Sequence, residues 1–444
     1  MKVFFNFYYF INLFIEVILN IKKYLKMKDL YNTLINLQAT DYQVDSRLIK
    51  KNSLFFAIKG EKVDGHSFLK EIISKKALGI VISKNYNLDI SYPSDFNIFR
   101  VDNVLEVLQG LAAHVLKEYK TKNIGITGSF GKTITKEFLY TLMGNLKVSK
   151  TYKNYNSQIG FPISILNIDK NKDYLILEMA MDKKNEIKKL VDIALLDVVL
   201  ITSITNYNQQ DFKSSTEVAE AKSEIFNGNS INIINHALLK YDILKNKKDF
   251  TYSIYNEKAD FYFDIKKGIL RDFENNRVSI NFPFQETHLI ENAIASISIL
   301  KILKIDYSIF LENIKNLKTN NMRFEKVILN DITFIKDCYN AGVDTMIKAI
   351  ENMNTKNRKI SVLGAMCDFK ENSKKMHEIV AEVALKNVDV ALFLGEEWKH
   401  IKNIKVFDDH KSIANHLKEI LNKEDMVLVK GSRFFEMEKI FDFI

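Results

Sequence analysis

The stretch that most restricts how this chain can fold runs from Asn123 to Asn145. NIGIT, residues Asn123–Thr127, reads as a short buried strand. Gly128-Ser129-Phe130-Gly131-Lys132-Thr133 follows at once, and Ile134–Asn145 has helical periodicity. A strand that hands over to a helix through such a turn belongs to a parallel α/β sheet. Gly128 and Gly131 let backbone N–H groups approach phosphate oxygens without Cβ interference. The new helix points its positive end at the same anion. Lys132 is placed to neutralise β/γ-phosphate charge, and the Thr133 hydroxyl to bind Mg²⁺. The first glycine of the commonest pattern falls on Ile126, with Gly125 one residue earlier. A nucleotide triphosphate site is the chemical reading; a glycine turn beside a surface lysine is the bland one.

The rhythm on either side agrees. Tyr174–Met179 (YLILEM) and Asp197–Ser203 (DVVLITS) read as strands of the same unit. Ser53–Ile58 and Leu78–Ile82 read as strands before it, and Val104–Tyr119 as a helix. Beyond about Asn321 a second doubly wound unit is predicted. Its strands are Ile360–Gly364, Val390–Gly395 and Met426–Lys430, separated by helices Asn372–Lys386 and His410–Asn422. The predicted fold class is therefore α/β in several domains, as 444 residues with 47% hydrophobic content also require. Fifteen Gly and three Pro exclude collagen-like or linker-dominated chains.

A net charge of +9 suits polyanionic ligands without choosing among them. The charge is dispersed, with no basic–aromatic cluster, so nucleic-acid binding is not expected. Cys338 and Cys367 are the two cysteines, which excludes a disulfide framework or cysteine metal cage and points to a reducing compartment. Residues 1–26 are apolar, but Asn6, Asn12, Glu16 and Asn20 interrupt the run and no small-residue cleavage site follows. Two readings stay open. The segment is an interfacial or spanning helix with Lys22, Lys23 and Lys26 at a lipid surface, or an extension before a functional domain that starts at Met27.

Glu178 ends an apolar strand, where ligands of open sheets collect, and can hold Mg²⁺ opposite Thr133. Ser214-x-x-Glu217 is a capping-box signature. On the helix it opens, Lys222 falls with Val218, Ala219, Ile225 and Phe226 on the inward face. Periodicity leaves two accounts of that lysine: a snorkelling side chain, or an amine that has added CO₂ to become an anionic carbamate.

In order along the chain, these residues resemble the Mur ligase family. The likeness runs from Met27 to the end. Thr127–Thr133 matches the family's TGSxGKT loop, and AKSEI places Lys222 on its carbamoylated lysine. The resemblance implies a UDP-substrate domain at 27–103, a central ATP-binding domain at 104–320 and a Rossmann-like ligase domain at 321–444, after the 1–26 extension. It implies substrate contacts at Ser46, Arg47, Asn156, Tyr339 and Asn340. ATP contacts are implied at Gly128, Ser129, Phe130, Gly131, Lys132 and Thr133, and at His288, Asn292, Arg323 and Asp337. The implied metal ligands are Thr133, Glu178, Asn208 and carbamoylated Lys222, with Asn208 standing where the family usually has His. Lys132, Glu178 and Lys222 are the implied catalytic residues.

Tyr339-Asn340-Ala341 resembles the dipeptide-adding branch, although the family's YNANP continues here as Gly342-Val343. The implied activity is ATP-dependent addition of D-alanyl-D-alanine to UDP-N-acetylmuramoyl-tripeptide through an acyl phosphate, with ATP and Mg²⁺ required. The implied setting is a cytoplasmic monomer, with membrane-surface contact if residues 1–26 supply it. Competing readings are a related ligase adding a single amino acid, a phosphotransferase or nucleotide switch, and a weakly active nucleotide-binding homologue. His66 and His377 divide evenly between family roles and ordinary polar positions; Cys338 reads as packing.

Overall fold

The computed structural model describes residues 25–60, 63–169, 171–205, 211–319, 322–367 and 372–444. Residues 1–24 of the amino-terminal extension, and Asn208, lie outside the described residues. Among those described, no helix is long and apolar enough to cross a membrane.

The chain divides into two compact units, one of 1–123 with 149–175 and 188–195, the other of 124–148 with 176–187 and 196–444. In the first, strands Asp41–Gln43, Ser53–Phe56, Gly79–Ser83 and Asn97–Val101 form a parallel four-stranded sheet in sequence order. Ser53–Phe56 is buried at every position, as expected for a parallel strand covered on both faces. His66 is a structural hub. Its Nδ1 lies 2.6 Å from Asp64 Oδ1, its Nε2 accepts the Ser83 N–H at 3.1 Å, and Tyr86 stacks on its ring. Asn103 caps the helix Val104–Lys117 by accepting from the Leu105 and Glu106 N–H groups.

A nine-stranded sheet has Lys122–Thr127 between Val198–Ile201 and Tyr174–Glu178, and continues from Val198–Ile201 through Ile231–Asn235 and Phe250–Ser253. Gly125 serves this strand rather than the loop after it. A Cβ there would stand 2.5 Å from Leu196 Cδ1, so the glycine allows close packing. A six-stranded sheet carries the carboxyl-terminal part, in the order Glu325–Leu329, Ile332–Asp337, Met426–Lys430, Lys359–Gly364, Val390–Leu394, Lys405–Phe407. Only the first pairing, Glu325–Leu329 with Ile332–Asp337, is antiparallel. Helix Ser373–Asn387 buries His377, whose Nε2 accepts the Met366 N–H while Nδ1 donates to Ser373 O. Trp398 packs edge-on against that ring in the core.

Candidate active site

Helix Lys132–Leu142 begins at Gly131, which has φ of +84° and no side chain to cap the first turn. Its leading N–H groups are thus left to the loop mouth, where they attract an anion. The end of the neighbouring strand shapes the loop: Ser129 N–H donates to Ser203 O at 2.9 Å, and Phe130 N–H to Ser203 Oγ at 2.9 Å. Thr202 Oγ1 in turn donates to Phe130 O at 2.6 Å. A methyl group at Gly131 would stand 2.6 Å from Asn292 Oδ1. Asn292, on helix Thr287–Ile302, accepts the Thr135 hydroxyl at 3.2 Å and so belongs to the wall of the phosphate loop.

Lys132 folds back so that its ammonium donates to Gly128 O at 2.7 Å and Ser129 O at 3.3 Å. Desolvation pushes its pKa down; Glu178 opposes that shift, and Arg323 adds to it. Thr133 Oγ1 donates to Glu178 Oε1 at 3.0 Å, both side chains being buried. Oxygens bound about 2.0–2.1 Å from an octahedral ion stand about 2.9 Å apart, so this pair fits one edge of a Mg²⁺ site. The second carboxylate oxygen faces the Lys136 ammonium at 3.2 Å.

Lys222 is 1% exposed, on the inward face of helix Ser215–Lys222 as its periodicity predicts. Burial first, and Lys132 second, push its pKa well below that of an ordinary lysine. A neutral amine is the form that can add CO₂. Ser214 Oγ accepts the Glu217 N–H, and Glu217 reaches back to the Lys213 N–H rather than to that of Ser214.

The carboxyl-terminal candidates gather around Asp337. Arg323 lays its guanidinium 3.8 Å from the Tyr339 ring centre. Asp337 accepts the Phe324 N–H on Oδ1 and pairs with Lys430 Nζ at 2.7 Å on Oδ2. Lys430, 2% exposed, also donates to Asn340 O at 2.9 Å. His288 packs edge-on against Phe324, and burial lowers its pKa. Lys348 sits 4.0 Å above the Phe130 ring, its pKa lowered by burial. Lys136, Lys348 and Lys430 are charged residues of this region to which sequence reasoning gave no role.

The first unit holds the remaining candidates. Ser46 is buried and its carbonyl accepts Lys75 Nζ at 2.8 Å. Arg47 is exposed and forked onto Asp45, which it holds below the usual carboxylate range. Asn156 is half-buried, its N–H donating to Asn154 O at 2.8 Å.

Comparison with known proteins gives a consistent result. Residues 40–115 match the family model described as "Mur ligase family, catalytic domain", 126–300 the "Mur ligase middle domain", and 322–433 the "Mur ligase, glutamate ligase domain". A UDP-N-acetylmuramoyl-tripeptide–D-alanyl-D-alanine ligase of Buchnera aphidicola is 31% identical over 422 residues, covering 89% of this chain and 91% of the relative. The ligase of the same name from Rickettsia prowazekii is 29% identical, covering 92% and 96%. Among solved structures, the MurF ligase of Thermotoga maritima in complex with ADP aligns with a TM-score of 0.78 at 26% identity, covering 92% of this chain and 97% of the other.

Proposed function

The chain belongs to the Mur ligase family, and from that membership we propose that it joins D-alanyl-D-alanine to UDP-N-acetylmuramoyl-tripeptide, driven by ATP cleavage, in peptidoglycan precursor synthesis. The observation that carries this reading is the end-to-end match to dipeptide-adding ligases, 91% of the relative's length in the Buchnera case. Tyr339-Asn340-Ala341 supports the same branch.

A carboxylate is a poor electrophile because its charge repels nucleophiles. Its oxygen attacks the γ-phosphorus of ATP, ADP departs, and an acyl phosphate results. The amine of D-alanyl-D-alanine then adds to the activated carbonyl, and phosphate leaves from the tetrahedral intermediate. The protein's part is to bring two anions together and neutralise them. Lys132 and the N–H groups after Gly131 cradle the β/γ-phosphates. Arg323 and Asp337, with His288 and Asn292, hold the rest of ATP. Thr133 and Glu178 would hold Mg²⁺, with Lys222 as a carbamate and Asn208 as the resemblance assigns them. Bound there, the ion supplies charge neutralisation on the phosphate oxygens. Ser46, Arg47 and Asn156 receive the uridine-nucleotide peptide, and Tyr339 with Asn340 the dipeptide end.

The test is phosphate release with ATP, Mg²⁺ and UDP-N-acetylmuramoyl-tripeptide, with and without D-alanyl-D-alanine. Release that depends on the dipeptide is expected. Equal release without an amine acceptor would favour a phosphotransferase or nucleotide switch, and dependence on a single amino acid a different ligase of the family.

A further inference from the structure

One helix grips both oxygens of Glu178. Thr133 and Lys136, three residues apart and hence on one face of helix Lys132–Leu142, take Oε1 at 3.0 Å and Oε2 at 3.2 Å respectively. The Lys136 side chain is completely buried and Glu178 is 1% exposed, so the pair is shielded from solvent. Glu137 Oε1 lies 3.6 Å from the same ammonium. We propose that Lys136 is a positioning residue that makes Glu178 a one-oxygen metal ligand and thereby selects Mg²⁺ over Ca²⁺. This rests on the reading of Glu178 as a metal ligand given above.

The reasoning is geometric and electrostatic. Ca²⁺ takes six to eight oxygens at about 2.3–2.6 Å and readily uses both oxygens of one carboxylate; Mg²⁺ demands an octahedron at about 2.0–2.1 Å. An ammonium on Oε2 denies that oxygen to a cation and repels any ion that shifts toward it. Burial strengthens both effects, because little water screens them. Removing the ammonium takes its charge from Oε2, so that the carboxylate can turn to offer both oxygens.

Lys136→Met keeps the side chain's length without its charge, and Lys136→Arg keeps the charge. Calorimetric titration of each enzyme with Mg²⁺ and with Ca²⁺, in the presence of a saturating non-hydrolysable ATP analogue, reads the ratio of the two affinities. Lys136→Met should move that ratio at least tenfold toward Ca²⁺, with Lys136→Arg staying within threefold of wild type. If the Met variant does not fold, Lys136→Gln replaces it with the same expectation. A ratio unchanged in both uncharged variants overturns the proposal. Glu178→Gln separates this from its premise: if that enzyme binds both metals as wild type does, Glu178 is not a ligand and the earlier reading fails. If Glu178→Gln loses metal binding while Lys136→Met keeps the wild-type ratio, only the selectivity proposal fails.

Discussion

Arg323 spreads its guanidinium 3.8 Å from the centre of the Tyr339 ring, and the same cation adds to the burial that lowers the pKa of Lys132 in the phosphate loop. A residue of the carboxyl-terminal part thus shares an electrostatic field with the triphosphate cradle. The aromatic face fixes the guanidinium plane, which a flexible lysine cannot reproduce.

Arg323→Lys should therefore behave more like Arg323→Ala than like wild type, with both losing at least tenfold in kcat/KM for ATP. Tyr339→Phe keeps the stacking face and should stay within threefold. Steady-state kinetics at saturating tripeptide and dipeptide check this; an unimpaired Arg323→Lys enzyme would contradict it.

Gly131 is held at φ +84°, and a Cβ there would meet Asn292 Oδ1 at 2.6 Å. An alanine must strain the backbone and push Asn292 aside, opening the loop whose N–H groups face the phosphates. Gly131→Ala should raise the Kd for ATP at least tenfold in an equilibrium binding titration. An ATP Kd unchanged by Gly131→Ala would contradict the role of this loop.

Lys222 is buried with its pKa pushed down, which favours the neutral amine that CO₂ addition requires. Lys222→Ala should lower kcat by roughly a hundredfold or more, the scale of losing one charge contact in the transition state. Short carboxylates added to the medium should restore part of it. In wild type, carbon-13-labelled bicarbonate should give a carbamate signal that is lost in the variant.

How far the sequence alone reached depends on how local each signal is. The strand–GSFGKT–helix junction was legible because backbone geometry dictates its glycines, and Lys222 because helical periodicity turns it inward. Lys136 was not. Four residues after Lys132 in a polar helix start, it reads as a solvated lysine, and its burial comes from Glu178 on a separate strand. The helix itself opens at Lys132 rather than at Ile134, because the loop glycine supplies the first-turn geometry. The strands Phe250–Ser253, Phe261–Asp264, Ile269–Arg271 and Arg277–Ser279 were also missed. They are three or four residues long in a charged stretch, too short for their alternation to stand out, and each pairs with the next along the chain.

Cys338, beside Asp337, is buried and its thiol donates to Val429 O at 3.3 Å. Burial, with Asp337 and Glu438 adding to it, pushes its pKa up to about 12. At pH 8 it should carry roughly a thousandfold less thiolate than an ordinary cysteine. Mass spectrometry after alkylation at pH 8 should find Cys338 unmodified in the folded enzyme and modified in denaturant. Rapid labelling of the folded enzyme at that position would contradict the packing role.

The acyl phosphate itself can be followed atom by atom. With oxygen-18 in the terminal carboxylate of UDP-N-acetylmuramoyl-tripeptide, one labelled oxygen passes to the γ-phosphoryl group and leaves with it. Mass spectrometry of the phosphate released in a reaction with ATP, Mg²⁺ and D-alanyl-D-alanine should find one oxygen-18 per phosphate. Phosphate free of the label would mean that the carboxylate never attacks phosphorus, and would contradict the chemistry assigned to Lys132, Thr133 and Glu178.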